Sequence, residues 1–259
     1  MFIKEIIEHD SNYFNDLSNS CKFTEICRGR KGAILSAFTT SSKVPLVRCT
    51  TKFNQAVQKF EPIHYKLIQQ INNKLIEKKT KILDFNNALI EIYDVNYKSM
   101  KFHSDQSLDL DENSFICIFS CYEKQNSNRI LEIKNKLTGK LTEIDLDNNS
   151  IILFQLETNS KYLHKIKLKK KSKLDNVDTN QDKWLGVTFR LSKTYLNFEC
   201  QEFNCLTPVL LNLNKHLRLA NDAEEKEFYN LKNKENNEIN FLYPNIEYTI
   251  SPGDLINIF

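Results

Sequence analysis

Ser114-Phe115-Ile116-Cys117-Ile118-Phe119-Ser120-Cys121-Tyr122 is a short run of aromatic and β-branched residues, closed by Asp111-Glu112-Asn113 before it and Lys124-Gln125-Asn126 after it. A run of that length and composition reads as a β-strand bounded by turns. Similar runs surround it at Ala88–Tyr93, Ile130–Ile133, Leu141–Leu146, Ile151–Leu156 and Leu185–Phe198, and Leu137-Thr138-Gly139-Lys140-Leu141 reads as a hairpin turn. The succession suits a two-sheet barrel better than alternating βαβ units. Upstream, Ile63, Leu67, Ile68, Ile71 and Leu75 recur at helical spacing behind Pro62, which predicts a helix from Pro62 into Glu77-Lys78-Lys79. Residues 1–60 read as mixed structure, with a basic knot at Arg28-Gly29-Arg30-Lys31-Gly32 and an extended stretch at Val44–Arg48. Lys165–Lys183 reads as a polar excursion between strands, Asp222–Lys234 as a polar helix and Ile239–Ile250 as an extended tail. The fold expected is mainly β (α+β), one domain over residues 1–259, divided into 1–80, a barrel core at 81–200 and a C-terminal decoration at 201–259.

Composition narrows the chemistry. The 259 residues are 41% hydrophobic and 27% charged with a formal net charge of +3, enough apolar content to collapse around a core. No apolar run approaches the roughly 20 residues of a bilayer span, and no signal-peptide core follows Met1, so a soluble, intracellular chain (cytoplasm or nucleus) with no membrane partner is expected. Seven cysteines without a C-x-x-C pair read as free thiols in a reducing compartment, with Cys117 and Cys121 facing one core; a four-cysteine zinc site is the weaker reading. Only five glycines are present, and neither G-x-G-x-x-G, G-x-x-x-x-G-K nor G-x-S-x-G occurs, which disfavours dinucleotide folds, phosphate loops and the hydrolase elbow.

Against that background Phe102-His103-Ser104-Asp105 stands out. In extended chain, residues two apart share a face, so His103 and Asp105 can hold one metal ion. H-x-D alone is common by chance, and its bland reading is a surface turn. His164, in Lys161-Tyr162-Leu163-His164-Lys165-Ile166, lies several strand-like runs later, at a distance a barrel can close. Two imidazoles and a carboxylate on one face of an ion form the facial triad of non-haem Fe(II) oxygenases; zinc is not strictly excluded. Arg190, in Val187-Thr188-Phe189-Arg190-Leu191-Ser192, sits on an apolar run where a guanidinium needs an anion, and it offers a carboxylate a bidentate fork.

The order Tyr93, His103-x-Asp105, His164 after a Tyr-Leu pair, then Thr188-Phe189-Arg190 resembles the AlkB-like branch of Fe(II)/2-oxoglutarate dioxygenases, from roughly Phe60 to Tyr195. The resemblance implies a double-stranded β-helix (jelly-roll, cupin-like) core with flanking helices, and an N-terminal region serving as lid and helical support. It implies Fe(II) held by His103, Asp105 and His164, 2-oxoglutarate chelating the metal, O2 as co-substrate, and oxidation of a C–H bond, often an N-methyl group on a nucleobase of DNA or RNA. The family's Asn-x-Tyr strand reads here as Glu91 and Tyr93, so only Tyr93 carries over as a co-substrate contact, while Glu91 is open between a supporting role and solvent. Its final Arg-x-Asn-x-Thr-Phe-Arg, aligned on Thr188-Phe189-Arg190, puts Trp184 and Gly186 at the first arginine and the asparagine. The alternative register places Ser192 in an Arg-x-Ser pair, and either one leaves Arg190 as the anchor of one 2-oxoglutarate carboxylate.

For the substrate, the basic clusters are Arg28, Arg30 and Lys31, and Lys165, Lys167, Lys169, Lys170, Lys171 and Lys173, with Arg48 and Lys52 in the lid region. They suggest nucleic acid, against the bland reading of solvated lysine loops. The alternatives are hydroxylation or demethylation of a protein side chain on the same scaffold, or a binding module without catalysis. His9, His64 and His216 carry no expected role, and Trp184 is expected in the core.

Overall fold

Period-two alternation divides each central strand of this chain between two cores, and that division decides what faces His103, Asp105 and His164. The computed structural model describes residues 1–8, 12–77, 81–169, 182–199 and 207–258. The chain opens with β1 (Ile3–Ile6), helix α1 (Tyr13–Ser18), β2 (Thr24–Cys27), β3 (Arg30–Ser36), β4 (Val44–Leu46) and β5 (Gln58–Lys59). Helix α2 (Pro62–Glu77) leads to β6 (Asn87–Tyr93), β7 (Phe115–Tyr122), β8 (Arg129–Asn135), β9 (Leu141–Leu146) and β10 (Ser150–Gln155). The short helix α3 (Leu156–Lys161) precedes β11 (Tyr162–Leu168), β12 (Trp184–Arg190) and β13 (Thr194–Asn197). Strands β14 (Val209–Leu210), β15 (Lys215–His216) and β16 (Arg218–Leu219), helix α4 (Asp222–Asn237) and β17 (Tyr248–Thr249) follow.

The large sheet runs β1-β10-β7-β12-β6-β3-β2, with β5 beside β3; a second sheet runs β11-β8-β9 and a third β15-β14-β13-β4. Cys117, Phe119, Cys121, Leu185, Val187, Phe189, Ala88, Ile90 and Ile92 pack with α1 and α2 on one face of the large sheet. The alternate residues Ile116, Ile118, Tyr122, Trp184 and Tyr93 pack instead with Leu131, Ile133, Leu146 and Ile166 of the second sheet. This is the mainly β, two-sheet jelly-roll core expected, and Glu91, Thr188 and Arg190 share the parity of its inner face.

Helix α2 keeps the predicted bounds, and its buried residues Leu67, Ile71 and Leu75 hold one stripe against the large sheet. His64 is buried at its start: Nδ1 accepts the Glu61 N–H at 2.8 Å and Nε2 lies 3.1 Å from Ser20 Oγ. Helix α4 starts on a capping box between Asn221 and Glu224.

Three features differ from the sequence expectation. The first 60 residues supply β1, β2, β3 and β5 to the large sheet. The excursion after His164 begins later, because β11 continues to Leu168; Lys165 and Lys167 alternate with His164 and Ile166, and their cross-strand acids disguise a strand as a lysine-rich loop. The run Leu185–Phe198 divides into β12 and β13 at residues 191–193, where Ser192 forms an isolated bridge with Leu110. Among described residues Cys21, Cys27, Cys49, Cys117 and Cys121 are free, the last two buried as expected. His9, Lys170, Lys171, Lys173, Cys200 and Cys205 lie outside the described residues. No described helix is long and apolar enough to cross a membrane.

Candidate metal centre

His103 and His164 meet across an isolated antiparallel bridge: the His103 N–H donates to the His164 carbonyl at 3.0 Å, and the His164 N–H to the His103 carbonyl at 2.7 Å. The pairing sets the two imidazoles side by side, ring centroids 4.7 Å apart. Asp105, two residues on, reaches the same point, with Oδ1 3.4 Å from His164 Nε2 and 4.0 Å from His103 Nε2. All three ligand atoms lie within 4.8 Å of one another, and this is the one such cluster among the described residues. Donors about 2.1 Å from a shared ion stand roughly 3–4 Å apart, so the triad fits one metal ion.

The protonation states suit ligation. Burial, then the neighbouring His164, pushes His103 down to about 3, so its imidazole is neutral at physiological pH. His103 Nδ1 donates to the Lys101 carbonyl at 3.1 Å, which leaves the Nε2 lone pair for a metal. Burial alone would raise Asp105, but the Arg190 guanidinium and the histidines hold it well below the usual carboxylate range. Arg190 Nε and Nη2 both donate to Asp105 Oδ2, at 2.9 and 2.8 Å, so the other oxygen, Oδ1, faces the histidines.

A cavity of about 100 Å³ opens on the triad and on Arg190, Arg30, Glu91, Gln106 and Lys232. A larger cavity of about 530 Å³, walled by Phe241, Leu242 and Tyr243, contains none of the three ligands. We place the chemistry in the smaller cavity because the ligands line it. Glu91 is 7% exposed; it accepts Arg30 Nε at 2.7 Å through Oε1 and the Tyr93 hydroxyl at 2.7 Å through Oε2. Arg30, from the basic knot, is thus an interior residue of β3 beside the site, and Glu91 raises its pKa against the opposing effect of burial.

The remaining expected site residues stand back from the cavity. Tyr93 is fully buried, its ring 4.7 Å from Trp184, and it reaches the cavity through Glu91. Ser192 is buried with its hydroxyl beside the Leu46, Asp109 and Thr194 carbonyls. The departures at Trp184 and Gly186 have one physical cause: the Trp184 indole lies over Gly186, in space a β-carbon would occupy.

The expected cationic contacts are largely neutralised. Lys165 and Lys167 pair with Glu132, Lys167 also with Glu143, and Lys169 with Asp145. Lys52 pairs with Glu225. Arg48, expected in the lid, is 3% exposed in a bidentate pair with Asp109. Arg28 and Lys31 stay exposed. Residues missed from the sequence are Gln106, whose amide atoms are both buried without a partner, and Lys232, Glu235 and Asn236 of α4, which touch the loop carrying Asp105. Gln106 directly follows the H-x-D ligands; the α4 residues lie about 130 positions away and leave no local signal.

Among solved structures the chain is similar to OsALKBH1, at 14% identity and a TM-score of 0.48, over 73% of this chain and 97% of that one. No curated protein sequence matches it. The sequence pattern of the 2OG-Fe(II) oxygenases matches residues 8–190, a span that contains all three ligands and Arg190. That match bears out the Fe(II)/2-oxoglutarate dioxygenase reading of the sequence, with its Fe(II) and 2-oxoglutarate: the chain belongs to the 2OG-Fe(II) oxygenase superfamily.

Proposed function

We propose that this dioxygenase hydroxylates or oxidatively demethylates a modified nucleobase in DNA or RNA. When bound with 2-oxoglutarate and O2, Fe(II) supplies the oxidant for a substrate C–H bond, with 2-oxoglutarate converted to succinate and carbon dioxide. The chain's own residues prepare that chemistry. His103 presents a neutral imidazole beside the ring of His164, and Asp105 presents one carboxylate oxygen while Arg190 holds the other. We assign metal ligation to these three residues and one 2-oxoglutarate carboxylate to Arg190, which keeps further N–H groups beyond the two on Asp105. Tyr93 and Ser192 support the co-substrate site as positioning residues, Tyr93 through Glu91 and Ser192 through the turn that ends the strand bearing Arg190.

The observation that supports a nucleobase is Gln106. Its amide, both atoms buried and unpartnered, lines the metal cavity, and an unpaired buried amide is costly unless a ligand completes it. One donor and one acceptor side by side complement the edge of an unstacked base. The neutralised Lys165, Lys167 and Lys169 favour the second reading, a protein side chain as substrate, because they leave few cations on β11 for phosphates.

The test is 2-oxoglutarate turnover stimulated by N-methylated single-stranded oligonucleotides against methylated peptides. Gln106→Leu is expected to raise the oligonucleotide KM about 10-fold, the worth of one or two buried hydrogen bonds, and to leave substrate-free turnover unchanged. Stimulation by peptides alone, or an unchanged KM, refutes the nucleobase reading.

A further inference from the structure

The loop that carries Asp105 lacks the ladder partners that normally satisfy a barrel backbone. Between the bridge at His103 and the next at Leu110, residues 104–107 pair with no strand. Side chains from elsewhere take over. The Ser104 N–H and hydroxyl both donate to Asn236 Oδ1, at 3.0 and 3.1 Å. The Ser107 N–H donates to Glu235 Oε1 at 2.8 Å, joined by the Ser107 hydroxyl. Lys232 Nζ donates to the Ser104 carbonyl at 2.6 Å and to Glu235 Oε2 at 2.7 Å. Asn159 exchanges two 2.8 Å hydrogen bonds with the Asp105 backbone, completing the set.

Three of these four partners belong to the last two turns of α4, beyond residue 190 where the family pattern ends. Those turns are themselves fixed. Lys136 Nζ donates to the carbonyls of Glu235 and Glu238, at 2.6 and 3.0 Å, and the Tyr243 hydroxyl donates to Glu235 Oε2 at 2.8 Å. Lys232 and Glu235 are 7% and 4% exposed, so water does not compete for these bonds.

We infer that Lys232, Glu235 and Asn236 are positioning residues of the metal centre: the C-terminal helix holds residues 104–107 so that Asp105 Oδ1 converges with the two histidine nitrogens. The inference rests on the assignment of the metal to His103, Asp105 and His164. Arg190 fixes the Asp105 side chain, and α4 fixes the backbone beneath it. His103 and His164 are placed by β pairing, so Asp105 is the ligand whose geometry depends on side chains alone. Outer groups that orient ligands are worth about 10–100-fold in metal affinity, and the same range applies here.

Co(II) titration followed by visible absorption tests this without turnover. Asn236→Ala is expected to weaken Co(II) binding about 10–100-fold and to alter the ligand-field bands, while Asn236→Asp, which keeps the acceptor, stays within a few-fold of the parent. Leu231→Ala removes packing from the same helix and none of the hydrogen bonds to residues 104–107; it is expected to lower the thermal midpoint and retain Co(II) affinity. Should Asn236→Ala fail to fold, Glu235→Gln keeps the shape while removing the charge that fixes Lys232, with a several-fold loss expected. Affinity within twofold of the parent in both loop-contact variants, or an equal loss in Leu231→Ala, overturns the inference. Wild-type protein that binds no Co(II), or binds it as well after His103→Ala, overturns the metal assignment itself.

Discussion

Replacing Arg48 by Met isolates the most enclosed ion pair among the described residues. The Arg48 N–H and Nε donate to Asp109 Oδ2 at 2.8 and 3.0 Å, and Nη2 meets Oδ1 at 2.7 Å. Nη1 donates to the carbonyls of Ile246 and Tyr248, at 2.8 and 3.0 Å, so one side chain ties an early loop to the C-terminal segment. The Asp109 side chain is 0% exposed. Met leaves that carboxylate buried against a single backbone N–H and strips a donor from two carbonyls. Removing one partner of a buried pair costs about 3–5 kcal/mol. For a chain of this length that corresponds to a fall of roughly 10 °C in the unfolding midpoint, at about 2–4 °C per kcal/mol. Arg48→Met with Asp109→Leu removes both charges and is expected to recover most of the loss, because the penalty lies in the orphaned charge. Thermal and urea unfolding followed by circular dichroism measure both. A single variant within 1 kcal/mol of the parent, or a double variant no better than the single, refutes the reasoning.

Other perturbations probe separate elements. Burial pushes His64 down to about 4, so below pH 6.5 the unfolded chain binds a proton that the folded chain refuses; stability falls as pH drops from 6.5 to 4, by about 3 kcal/mol in total, and His64→Gln flattens that window in pH-dependent urea titrations. Gly186→Ala drives a methyl into the Trp184 indole and is expected to destabilise the fold by about 1–3 kcal/mol, with a change in tryptophan emission as the direct readout. If the substrate is a nucleic acid, Lys31→Met weakens oligonucleotide binding and flattens its salt dependence, whereas Lys169→Met with Asp145→Asn, which removes a pair that is already neutral, changes little; equal effects in a filter-binding assay contradict the assignment of the exposed cations. His103→Ala abolishes 2-oxoglutarate turnover in a succinate assay while the protein remains folded, and surviving turnover removes His103 from the centre.

Local pattern carried the barrel strands and α2, because each buries one repeating face that spacing alone reveals. Ala88–Tyr93, Leu141–Leu146 and the Pro62 helix fall within a residue or two of their observed bounds. The convergence of His103, Asp105 and His164 was legible for a related reason: H-x-D in extended chain fixes two donors on one face, and a barrel brings up a third. Strand β11 was hidden because its Lys165 and Lys167 are matched by Glu132 and Glu143 on other strands of its sheet, a pairing no single segment displays. Arg48 and Arg30 read as surface cations because their anions, Asp109 and Glu91, lie 61 positions away. The dependence of the Asp105 loop on α4 is non-local in the same sense.

The bridge between His103 and His164 joins two points about sixty residues apart in the chain. An ion held there closes that span as a staple closes a loop, and it binds only the folded chain with useful affinity. At a free metal concentration 100 times its Kd, it adds about 2.7 kcal/mol to the resistance against unfolding. A change of that size alters several-fold how much of a marginally stable protein escapes proteolysis. With iron held there, resistance to proteolysis, and not only turnover, is expected to follow the supply of iron.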